Sequence, residues 1–259
     1  MDPNADVAKS ADVRRASSSA LLRLPIILSL ILALIAGGIL VGVVIAWFPI
    51  FLVPSELMAM FPPEPIARAR EASIKQTAML NATVALGILG VLMTVLLGAG
   101  EAAARRFADG TVARLVVGVV LGTAVACASA VVGQLLAQTL YTPEPSLSPI
   151  VLTFIVQACM LGLFGLGVGA ALGFVAGGAR TAGVVAMSGL IAGIVAAFVY
   201  PVASTFLTPS LQTEFVMPGG VLRGQKHTVG LVLYLGLLVV SLGLILPLAS
   251  RGTSAKPAA

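Results

Sequence analysis

Residues 150–176 read IVLTFIVQACMLGLFGLGVGAALGFVA, a run that contains no charged side chain. At ~1.5 Å per residue a helix over this run is about 40 Å long, enough to cross a ~30 Å hydrocarbon core. Glycine recurs every fourth residue along it and just past its end, at Gly165, Gly169, Gly173 and Gly177, with Gly162 and Gly167 beside them. That spacing gathers the glycines along one helix face, a groove that a second backbone can approach closely. Ser/Thr/Pro-rich and glycine breaks flank the run, and five further apolar blocks lie along the rest of the chain.

The whole composition agrees with this stretch. The chain has 259 residues, 59% hydrophobic and 10% charged, with a mean hydropathy of +1.09. Soluble domains carry roughly 25% charged residues, and a chain so poor in charge could not cover its own surface in water. The period-two alternation of membrane strands is missing, which argues against a barrel. The pattern predicts an all-α integral membrane protein: a single bundle of six transmembrane helices at about 26–48, 77–99, 115–139, 150–176, 183–206 and 229–249. The apolar run from Leu24 to Phe51 exceeds a signal-peptide core and lacks a small-residue cleavage site, so it reads as a retained span. Residues 1–23 and 251–259 read as disordered cytoplasmic tails around a membrane domain at 24–250.

Direction follows from the basic residues. Lys9, Arg14, Arg15, Arg23, Arg105, Arg106, Arg114, Arg180, Arg251 and Lys256 fall on one side of the six spans; Arg68, Arg70, Lys75, Arg223 and Lys226 fall on the other. This split expects both termini in the cytoplasm and the protein in the cell (inner or plasma) membrane. The same scatter over loops explains the net charge of +5 without nucleic acid as a partner. The inner connections read as tight turns: Glu101 and Arg105 stand one helical turn apart, Asp109-Gly110 ends the helix, Thr111 can cap the next, and Gly177-Gly178 ends span four. The outer connections are longer and proline-bearing. Pro54-Ser55-Glu56-Leu57 with Met58, Met60 and Phe61, and Thr208-Pro209-Ser210-Leu211 with Phe215 and Val216, read as short capped helices on the outer interface. Arg68, Glu71 and Lys75 follow Pro65 at helical spacing and expect span two to begin above the membrane. Pro63-Glu64-Pro65 is echoed at Pro143-Glu144-Pro145, and Pro-Ser-Leu recurs at 145–147 and 209–211. Three parallel-oriented hairpins would explain the echo; so would the ordinary composition of turns.

Two sets of residues are candidates for function. The first is the glycine face of span four, matched in span five by Gly189, Gly193 and Ala197 and repeated at Gly118–Gly122 and Gly38–Gly42. Helix packing inside the bundle is its plainest use, with a homo-oligomer or membrane partner subunits as the other. The second set is polar. Asn81 follows Gln76 and Thr77 at the start of span two, Gln134 and Gln138 lie one turn apart near the end of span three, and Gln157 lies in span four. All fall in the outer half of the membrane. Amides in hydrocarbon need partners, so Asn81, Gln134, Gln138 and Gln157 either bond between helices or line a shallow polar pocket for a neutral solute.

Other chemistry is poorly supplied. No ionisable residue lies in the central part of any span, which argues against a proton-driven carrier. A single histidine, His227, excludes bis-histidine haem within this chain and reads as a solvated interfacial residue. Cys127 and Cys159 fall inside apolar blocks and read as free thiols. Gly165-x-Gly167-x-x-Ala170 matches a dinucleotide fingerprint only nominally, because no strand precedes it. Ala186-Met187-Ser188-Gly189 resembles the Gly-x-Ser-Gly of rhomboid proteases but lacks the first glycine. Ser188 and His227 would also sit near opposite membrane surfaces, too far apart for a nucleophile and base. No cofactor or metal is implied. The expectation is a non-enzymatic protein partnered by the lipid bilayer: transport-like or channel-like for a neutral small solute, or a non-catalytic subunit or organiser of a membrane complex.

Overall fold

The structure, a computed structural model, describes residues 26–47, 49–58, 63–104, 110–140, 148–207, 235–243 and 245, and every regular element among them is helical. In chain order these are α1 (Ile26–Trp47), a single 3-10 turn (Ser55–Leu57), α2 (Glu64–Ala104), α3 (Thr111–Leu140), α4 (Pro149–Gly177) and α5 (Ala179–Leu207); residues 235–243 are helical as well. Four stretches are long and apolar enough to cross a membrane: α2, α3, Val151–Gly177 of α4 and Ala179–Tyr200 of α5. The molecule therefore has the length and composition of an all-helical membrane protein.

Local chemistry sets the helix ends. Pro149 opens α4, where a missing N–H costs nothing, and the Ser148 hydroxyl accepts from the Val151 N–H at 3.4 Å. At the other end Gly178 adopts φ +77° and donates its N–H to the Phe174 carbonyl at 2.9 Å. One residue later α5 begins, so α4 and α5 fold back on each other as an antiparallel hairpin. Gly110, with φ +76°, likewise precedes α3, and its carbonyl accepts from the Arg114 N–H at 3.2 Å.

Helix α2 differs most from expectation. The span expected at 77–99 is the middle of one 41-residue helix, about 62 Å long at ~1.5 Å per residue. Its first turns are exposed and carry the ion pairs Glu64–Arg68 and Glu71–Lys75, both one helical turn apart. The short helix expected after Pro54 is only a single 3-10 turn, with the Leu57 and Met58 N–H groups bonded to the Pro54 and Ser55 carbonyls at 3.0 Å. Three residues are too few to bury any side chain, and none of them is buried.

Buried side chains from several helices share one core. It includes Ala33, Ala36 and Leu40 of α1, Leu86, Leu89 and Met93 of α2, Met160 and Phe164 of α4, and Leu235, Leu238 and Leu242. The last three belong to the expected sixth span, and a Cβ built on Gly236 would lie 3.7 Å from Leu30 of α1. The loop helix expected at 208–216, His227 and the Pro143-Glu144-Pro145 echo lie outside the described residues, as do both tails.

Candidate site: the glycine seam and the membrane amides

The six glycines singled out in α4 and α5 fall on the contact between these two helices. A Cβ built on Gly165 would stand 3.1 Å from the Gly189 carbonyl carbon, and one on Gly189 would stand 2.9 Å from the Gly165 carbonyl carbon. Gly193 meets Gly162 Cα at 2.9 Å, Gly169 meets Ala186 Cα at 3.2 Å, and Gly173 meets Ala182 Cα at 2.7 Å. Gly177 faces the side chain of Thr181 rather than backbone. Backbone thus lies against backbone for about three helical turns. Any side chain larger than hydrogen at Gly165, Gly169, Gly173, Gly189 or Gly193 would hold the two helices apart.

Other glycines receive side chains from a neighbour. The Thr94 methyl seats against Gly122, Met160 against Gly133 and Val125 against Gly167, which joins α3 to α2 on one side and to α4 on the other. Gly38 and Gly42 have the same four-residue spacing, yet among the described residues a Cβ on either meets nothing within 4 Å. Together with Ile31, Leu34, Ile35 and Ile39 they form an open face of α1.

The amides have diverse surroundings. Asn81 is 3% exposed, and its side chain bonds the corner after α1 through both Oδ1 and Nδ2. Its Oδ1 accepts from the Ile50 and Phe51 N–H groups, and its Nδ2 donates to the Phe51 carbonyl, each at 3.0 Å. Gln138 donates from Nε2 to the Lys75 carbonyl on α2 at 3.3 Å, in an exposed position. Gln134 is buried on α3. Gln157 is 1% exposed, and its Oε1 has no hydrogen-bond partner among the described residues. Two of the four expected site residues therefore tie elements of the chain together, and Gln157 alone of the four holds a buried, unpartnered polar atom.

Buried hydroxyls mostly bond within their own helices. Thr94 donates to the Gly90 carbonyl at 2.7 Å, Ser129 to Ala126 at 2.7 Å and Ser188 to Val184 at 3.0 Å, the back-bonding usual for Ser and Thr in helices. Ser188 is thus a satisfied helical serine. Thr123 Oγ1 is buried without a partner. Cys127 and Cys159 are both free: the first points at α2, with Sγ 3.8 Å from the Thr83 carbonyl oxygen, and the second is exposed on α4.

Glu101 stands apart from expectation. Placed by the sequence on a helix running past the membrane, it is 0% exposed. The start of α3 packs back over the end of α2, where Leu115 would lie 2.7 Å from a Cβ on Gly98, and Thr111 is buried too. The signal for this was available in Gly98, a gap that admits a neighbouring side chain. Arg105 lies outside the described residues.

No family model, curated protein or solved structure matches the chain.

Proposed function

We propose that this chain is a six-span membrane protein with both termini cytoplasmic, acting in the cell membrane as a non-catalytic subunit that organises partner proteins or further copies of itself. The observation that carries this reading is the use made of Asn81. A polar path for a solute needs side chains with free donors and acceptors, and here the best-placed amide bonds three backbone groups of its own chain. Gln138 likewise bonds α2. The open Gly38–Gly42 face of α1 and the exposed valines Val112, Val116 and Val120 of α3 are apolar surfaces that suit lipid or a second membrane helix.

A second reading, passage or binding of a neutral small solute, draws on Gln157, because a buried amide oxygen without a partner is a natural place for a polar ligand. Isolation in mild detergent followed by native mass spectrometry, with solute flux in proteoliposomes of the pure chain, separates the two. The organiser reading expects a companion polypeptide or a defined oligomer and no flux. Flux by the lone monomeric chain overturns it.

A further inference from the structure

We infer that the corner that brings Trp47 and residues 49–52 together is seated inside one leaflet of the bilayer, with lipid as the partner of its uncovered apolar side chains. The inference goes beyond the organiser and solute readings alike and needs only that α2 cross the membrane.

The depth comes from α2 itself. Charged side chains stand at Glu64, Arg68, Arg70, Glu71 and Lys75, and the next along the helix is Glu101. Lys75 and Glu101 are about 39 Å apart at ~1.5 Å per residue, so a ~30 Å hydrocarbon slab centred between them begins roughly 4–5 Å beyond Lys75. Asn81 lies about 9 Å along the helix from Lys75, which puts it roughly 4–5 Å inside that slab. Ile50 and Phe51 are hydrogen-bonded to Asn81 and share its level.

Non-helical backbone at that depth persists where its polar groups are satisfied by the protein, and Asn81 satisfies three of this corner's backbone groups. Pro49 has no N–H to satisfy. The next two N–H groups, of Ile50 and Phe51, both reach Asn81 Oδ1, and the Phe51 carbonyl takes the Asn81 Nδ2 proton. An aqueous loop would have no need of a buried amide to bond backbone that water could serve. The side chains complete the case: Trp47, Ile50 and Leu52 are 73%, 45% and 70% exposed, with no polar residue between them. Their uncovered surface continues the apolar exterior of α1.

Glu64 lies about 26 Å above Asn81 along α2, and thirteen residue steps separate Phe51 from Glu64. A rise of ~2 Å per residue is well within an extended chain's ~3.3 Å. The 3-10 turn bearing Glu56 contacts α2 on the way, which keeps that carboxylate on the water side.

The test uses the intact chain in phosphatidylcholine vesicles, where Trp47 is the only tryptophan. Its fluorescence is quenched in turn by aqueous iodide, by phosphatidylcholine brominated near the headgroup end of the acyl chain, and by phosphatidylcholine brominated near the terminal methyl. The inference expects strong quenching by the shallow bromines, weaker quenching by the deep ones, and iodide quenching severalfold below that of free tryptophan. A Trp47→Phe, Leu52→Trp variant should give the same order. Asn81→Ala should raise iodide quenching as the corner lifts out. Full iodide quenching without bromine quenching would make the corner an aqueous loop and overturn the inference. Protection from both quenchers would mean that protein covers the corner, and overturns it equally. The unmodified protein decides the matter if either variant fails to fold.

Discussion

Replacing Gly165 by alanine tests the seam between α4 and α5 where it is tightest. The added methyl would lie 3.1 Å from the Gly189 carbonyl carbon and 3.3 Å from Gly193 Cα, and both are backbone that cannot rotate away. Ordinary contact begins near 3.4 Å, and the carbonyl oxygen is closer still, so the helices must part by ~0.5–1 Å. A gap of that size forfeits a quarter to a half of each ~0.1–0.2 kcal/mol atom-pair contact along the seam. Over some two dozen pairs this is about 1 kcal/mol, and strain from overpacking adds ~1–3 kcal/mol. Alanine's better helix propensity returns up to ~1 kcal/mol. The net expectation is a loss of about 2 kcal/mol. Gly38→Ala is the internal control: with nothing within 4 Å, it should be neutral or stabilise by up to ~1 kcal/mol. Gly165→Ala combined with Gly189→Ala should cost less than the sum, because either substitution alone already separates the same two backbones. Reversible unfolding in micelles of rising SDS fraction, followed by circular dichroism, measures all four proteins. Coincident curves for Gly165→Ala, Gly189→Ala and Gly38→Ala would refute the reasoning.

Three further outcomes follow from other sites. Gly178→Ala should destabilise by ~1–3 kcal/mol in the same assay although no atom lies near its Cβ, because its φ of +77° with ψ of −163° is a backbone region almost confined to glycine. Asn81→Ala leaves two N–H groups and one carbonyl without partners; at ~1–3 kcal/mol per buried group, reduced where lipid headgroups or water reach in, the loss should be about 3 kcal/mol. Glu71 has its carboxyl pKa lowered by the hydrogen bond and charge of Lys75. Its ion pair is therefore present above the ordinary value of 4.5 and is lost as pH falls through the depressed value. Carboxyl chemical shifts should show its midpoint below 4.5 and returning there in Lys75→Gln, with negligible change in stability because the site is fully exposed.

What was legible in the sequence followed from spacing alone. Four glycines at intervals of four can only share a helix face, and Gly178 directly after Gly177 leaves no room for anything but a hairpin, so the α4–α5 seam was open to reading. Spacing does not say whether a face is occupied: Gly38–Gly42 repeats the motif of Gly165–Gly169 but faces no neighbour among the described residues. That Asn81 and Gln157 turn inward was legible too, because an amide on an apolar helix needs partners, and both are buried. Their partners were not. Asn81 bonds backbone thirty residues away, a choice made by how the chain turns at Pro49 rather than by any local pattern. Glu101 shows the limit of charge as a guide. A carboxylate four residues before an arginine looks like a solvated helix end, but its burial depends on α3 folding back, and only Gly98 hinted at that approach.

The organiser reading rests on the membrane amides having no common water-filled pocket, and Gln157 is where that claim is most exposed. The direct measurement is Gln157→Cys in a chain with Cys127 and Cys159 replaced, reconstituted in vesicles and treated with a membrane-impermeant maleimide. The account predicts no labelling until the protein is unfolded, because residue 157 is 1% exposed. Labelling of the folded protein at a rate near that of an exposed cysteine would reveal an aqueous path to the core and contradict it.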